Sequence, residues 1–190
     1  MPDFFFRPAT IEIPRKSEAS GFDWQYIDNP VLCDAIDEEV QHVRFLRNVL
    51  EQLRHTEDGR VDNPSYEMPL GLTLRAGFIR STILYYTSIA EAVLLHHAER
   101  RGYGLPKKKT AWTFGQALKA WKGKPDVKLI WSDLEKLQSI RNQVHLLNKA
   151  TSADSYFNDI LKQEKQLFEA AERVLEALKG FKSERSASAS

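Results

Sequence analysis

The chain carries one cysteine, Cys33, in 190 residues. That excludes an internal disulfide and any multi-cysteine zinc site, and it fits a reducing, cytoplasmic setting. Charge of one sign is also lacking, because 27 Lys and Arg stand against 26 Asp and Glu. With a formal net charge of +1, no global basicity marks a nucleic-acid binder, so any such role rests on a local patch. No long apolar run is free of charge. The most apolar stretch, residues 79–95, contains Arg80 and Glu91, and a charge at a bilayer centre is costly, so no membrane span is expected. The first residues, MPDFFFRPATIEIPRK, have neither a basic n-region nor a sustained apolar core, and do not read as a signal peptide. No carboxylates cluster with His or Cys at ligand spacing, so no metal and no other cofactor is called for. Internal repeats and runs of strands are missing too.

What is present is helical periodicity over most of the chain. Hydrophobic residues make up 42%, enough for one domain with a real core. Residues 1–30 read as an extended arm that lays Phe4, Phe5, Phe6, Phe22 and Trp24 on the body, with a short strand at 10–13. A first helix is expected over 31–56, with Asn29 as cap and Pro30 at the first helical position. A second is expected over 70–101, apolar on several faces around 83–95 and stopped by Gly102. TFGQALKAW reads as a short helix capped by Thr113, with Gln116 completing the capping box. A fourth is expected over 132–149, capped by Ser132 and Glu135, and a last one over 153–178. Residues 181–190 read as a disordered polar tail. The expected fold is all-α: a bundle of four main helices plus a short one, spanning 31–180.

The fourth helix holds the most informative stretch, SIRNQVHLLN. Leu134, Leu137, Ile140, Val144 and Leu147 make its core stripe. Gln138, Arg141, His145 and Asn148 form the adjoining stripe, roughly 100° away, at the edge of the core. Arg141 and His145 lie one turn apart on one face. A guanidinium can hold a phosphate by two hydrogen bonds, and an imidazole titrates near neutral pH. The pair has two readings at this point: chemistry on a phosphodiester, or a polar tie to a neighbouring helix or across a dimer seam.

IRNQVHLLN resembles the signature of the HEPN superfamily, in which an arginine, a polar residue and then a histidine share one late helix. YTSIAEAVLLHHA is similar to the family's long second helix, with Glu91 as its acidic residue. TFGQALKAW resembles the short helix that precedes the signature. The likeness covers roughly residues 31–178, mostly by helix order. Here three residues, Asn142, Gln143 and Val144, separate Arg141 from His145, fewer than in the commonest form of the signature. The resemblance implies metal-independent RNA cleavage by a homodimer with Arg141, Asn142 and His145 as site residues, as in toxins and phage-defence effectors held by an antitoxin. It also implies two alternatives: a non-catalytic dimeric module that binds RNA, a nucleotide or a protein, and a partner for a nucleotidyltransferase.

Three further features bear on this. Glu91 sits in an apolar segment and needs a partner, for which Arg141 is the candidate. Lys107, Lys108 and Lys109, followed by Lys119, Lys122, Lys124 and Lys128 with Trp112 and Trp121 between, suit single-stranded RNA; they also suit a solvated loop with two core tryptophans. His96 and His97, at a helix C-terminus, have two readings, lining the same groove or solvated at the helix end, and the second is expected. Cys33 reads as a small, half-buried residue.

Overall fold

The computed structural model describes residues 24–52, 72–142 and 153–182. The domain is all-α, and no strand occurs among the described residues. Among the described residues five α-helices follow in order: α1 (Pro30–Gln52), α2 (Leu72–Arg100), α3 (Phe114–Trp121), α4 (Trp131–Asn142) and α5 (Ala153–Lys179). Short 3₁₀ turns at Lys109–Ala111 and Pro125–Val127 flank α3. The phenylalanines of the N-terminal arm, the strand expected at 10–13, residues 143–150 and most of the C-terminal tail lie outside the described residues. Trp24 is described, and it is buried.

Local chemistry sets the helix ends. The Asn29 side-chain oxygen accepts the Leu32 N–H at 3.2 Å, with Pro30 at the first helical position. At the end of α2, Gly102 takes φ +66°, its N–H bonds the Glu99 carbonyl, and the Tyr103 N–H bonds the Ala98 carbonyl. That paired closure needs a left-handed residue, which glycine supplies without a Cβ penalty. Thr113 caps α3 by accepting the Gln116 N–H. The start of α4 differs from expectation. It begins at Trp131, and the Ile130 carbonyl accepts the Leu134 N–H, so Ser132 falls inside the first turn. The 3₁₀ turn ahead of it hands the chain over directly, since the Ile130 N–H bonds the Val127 carbonyl.

α2 is the central element and packs against α1, α3, α4 and α5, while α4 also packs on α5. Its Ile79, Ile83, Ile89, Ala90, Val93 and Leu94 are all fully buried, on more than one face. By length and composition its Arg75–Arg100 stretch could cross a membrane, but over half of the most apolar window is buried against the other helices. α2 therefore serves as a core helix. Trp121 closes the core beside its C-terminal end, with its indole N–H on the Leu94 carbonyl at 2.8 Å.

His96 and His97 correct the reading of a solvated helix end. They are 8% and 1% exposed. The last turn of α2 is covered from two sides by distant parts of the chain: Phe181 stands 6.1 Å from the His97 ring, and Asp28 lies 3.3 Å from His96 Nε2. Burial, then the neighbouring His96 and Arg101, push the His97 pKa down to about 4, against the opposing pull of Asp28. Burial also lowers the His96 pKa, with Asp28 opposing.

A folded-state pKa below the unfolded value of about 6.5 means that the unfolded chain takes up protons first. Stability is therefore full above pH 6.5 and falls as the pH drops toward 4, by on the order of 2 kcal/mol for His97. Urea titrations between pH 7 and pH 4.5 should show this fall, and His97→Phe should flatten it. An acid limb of equal slope in the variant would remove His97 as its cause.

Candidate functional site

The site begins with the register of α4. Leu134 and Leu137 are completely buried and Ile140 nearly so, which sets Arg141 at the rim of the core, one turn past Leu137. The Arg141 side chain is 33% exposed, and its Nη1 donates to the carboxylate of Glu91, itself 16% exposed, on α2. The carboxylate that needed a partner has Arg141 as its partner, as the residues led one to expect. The Arg141 guanidinium also stands 5.7 Å from the centroid of the Phe114 ring, within cation–π range. Phe114 is the first residue of α3, buried, and its place follows from the Thr113 cap. Three helices thus converge on one guanidinium: α2 by charge, α3 by a ring and α4 by the chain itself.

The arrangement leaves Arg141 half open. Its remaining nitrogens make no further hydrogen bond among the described residues. A guanidinium fixed at one nitrogen and over one aromatic face keeps N–H donors for an anion that arrives from solvent. Asn142 ends α4 and is exposed. Gln138, on the same stripe, is half-buried with its amide nitrogen 3.3 Å from where a Cβ on Gly115 would lie, so α3 and α4 meet closely there. His145 and Asn148 lie outside the described residues.

Lys107, Lys108 and Lys109 are exposed in the loop between α2 and α3. Lys109 is tied to Glu99 at 2.6 Å and stands 5.0 Å over the Trp112 ring. Glu99 lies eight residues beyond Glu91 on α2, which places Lys109 about 12 Å along the axis from Arg141 and about 80° round it. The loop lysines and Arg141 occupy neighbouring sectors of the same helix without touching.

No family model, no curated protein and no solved structure matches this chain. The functional reading therefore stands on its own residues. Among the described residues no three His, Cys, Asp or Glu side chains group to hold a metal ion. A cleft of about 550 Å³ opens between α1, α2 and α5, with Leu50, Leu161 and Phe168 among its lining. Its rim includes Arg75, bonded twice to Glu164 at 2.7 and 2.9 Å. Arg75 is 16 residues before Glu91, about 24 Å along α2, so the cleft is remote from Arg141.

Two features of the site had no sequence signal. Phe114 reads as an ordinary core aromatic until α3 is folded under Arg141. The buried pair His96 and His97 depends on Asp28 and Phe181, both far away along the chain.

Proposed function

We propose that this is a HEPN-like, metal-independent endoribonuclease that cleaves single-stranded RNA. The observation that carries the reading is Arg141, held by Glu91 and Phe114 yet one-third exposed, four residues before His145 in the sequence. Arg141 holds a non-bridging oxygen of the scissile phosphate and stabilises charge that develops there. His145 takes the proton from the ribose 2′-OH as the 2′-oxygen bonds to phosphorus. The bond from phosphorus to the 5′-oxygen breaks, that oxygen takes a proton from solvent and leaves as a 5′-OH, and a 2′,3′-cyclic phosphate remains. Asn142 orients either group, and Glu91 positions the arginine.

The same reading includes the finer features of the fold and its setting. The four long helices form a bundle with α3 as the added short helix, and the N-terminal arm docks on it. The chain works in the cytoplasm as a homodimer with its two motifs facing each other across an isologous interface. The same resemblance suggests a toxin or phage-defence role, with an antitoxin as partner.

A second reading has its own observation. The Glu91–Arg141 ion pair joins α2 to α4 and by itself accounts for both residues. A dimeric module with no catalysis, which binds RNA, a nucleotide or a protein such as a nucleotidyltransferase, would keep this tie for stability alone.

The experiment is cleavage of single-stranded RNA by the purified full chain in excess chelator, beside His145→Ala. The nuclease reading expects wild-type cleavage and its loss in the variant, with helix content and melting temperature unchanged. Intact RNA with wild type, beside a His145→Ala variant that melts easily, leaves the module.

A further inference from the structure

The end of the domain around the α2 C-terminus gathers lysines from three separate stretches of the chain. The loop after α2 brings Lys107 and Lys108; the segment after α3 brings Lys122, Lys124 and Lys128; the segment after α5 brings Lys182. Contacts at this end place the segments together. Lys124 stands 4.3 Å over the Tyr103 ring, and Arg101 bonds both the Asp126 carboxylate at 3.0 Å and the Lys182 carbonyl at 2.6 Å. Lys182 in turn stands 5.4 Å over the ring of Tyr26, and Phe181 packs on Trp121 with centroids 5.2 Å apart.

The acids here are already taken. Asp28 pairs with Arg100, Glu99 with Lys109 and Asp126 with Arg101. None of the six lysines pairs with a carboxylate among the described residues. The α1 acids Asp34 and Asp37 stand beside Cys33, within the helix itself. A chain of net charge +1 thus carries a strong local excess of positive charge at one end.

We propose that this end is a docking surface for single-stranded RNA, distinct from Arg141 and assembled from all three segments. The lysines supply phosphate contacts, and the half-buried rings of Tyr26, Tyr103 and Trp112 supply stacking faces. Each ring now carries an ammonium group, worth about 0.5–1 kcal/mol at an exposed site. A stacked base is worth about 1–3 kcal/mol, so a base displaces the ammonium, which then swings to a phosphate. A lipid surface fits less well, because interfacial binding needs a broad apolar face. Leu129, 93% exposed beside Lys128, is a single aliphatic side chain and does not make one. RNA as the partner rests on the proposed function, but docking does not require cleavage.

The test is fluorescence anisotropy of the full chain with a labelled 2′-O-methyl oligouridylate, which has no 2′-OH to attack. Failure of the nuclease reading therefore leaves this measurement intact. The variant Lys122→Ala/Lys124→Ala/Lys128→Ala should weaken binding by about tenfold or more at moderate salt. It should also reduce the slope of log K against log salt by about 2, from three lost phosphate contacts on a single strand. Lys162→Ala/Lys165→Ala, on the exposed side of α5, should change neither. Equal losses in both variants would overturn the surface. Capture by phosphatidylserine vesicles without RNA binding would overturn it in favour of a membrane.

Discussion

Arg141→Lys is expected to lose nearly as much RNA cleavage as Arg141→Ala, on the order of 10²–10³-fold in each case. Lysine keeps the charge but lacks the planar fork that can bond Glu91 on one side and a phosphate on the other. Arg141→Ala should also cost stability, roughly 1–3 kcal/mol, because it strands a Glu91 carboxylate that is only 16% exposed. Glu91→Gln keeps the shape and removes the charge that steers the guanidinium, so cleavage should fall by about tenfold and fall no further in the Arg141→Ala background. That non-additivity is the mark of a positioning residue. Single-turnover cleavage and urea titration of the four proteins decide it; additive losses would separate Glu91 from Arg141.

The largest effect on stability is expected at Trp121. Its side chain is fully buried, donates to the Leu94 carbonyl at 2.8 Å, and meets Tyr103 and Phe181 with ring centroids 5.0 and 5.2 Å away. Trp121→Ala should therefore cost about 3–5 kcal/mol, from lost burial and the cavity left behind. Trp121→Phe keeps most of the ring and loses the hydrogen bond, so it should cost less. Denaturant midpoints measure both, and a small loss for alanine would mean that the α2 end closes without this ring. A marginally stable domain would unfold on such a change.

Much of the local structure was legible because its causes lie close together in the chain. Asn29 before Pro30, Thr113 ahead of Gln116, and Gly102 after Arg101 each mark a helix end through a bond spanning a few residues. The Glu91–Arg141 pair was legible for a different reason: a carboxylate in an apolar segment demands a cation, and Arg141 borders the core stripe of its own helix. Burial of His96 and His97 was not legible. It depends on Asp28 and Phe181, which lie about 70 and 85 residues away, and helix position alone points to solvent. Phe114 under Arg141 and the lysine-rich end share that character, since helix packing brings distant segments together. The start of α4 was misplaced because the 3₁₀ turn at Pro125–Val127 leads into the helix without a side-chain cap.

In the proposed mechanism Arg141 and His145 act together on a phosphodiester through the adjacent ribose 2′-OH. The most direct measurement is mass spectrometry of the ends left when the wild-type chain cleaves a defined single-stranded RNA in excess chelator. The expected ends are a 2′,3′-cyclic phosphate on one fragment and a free 5′-OH on the other. Fragments that end in 3′-OH and 5′-phosphate, or RNA left whole, would contradict the mechanism.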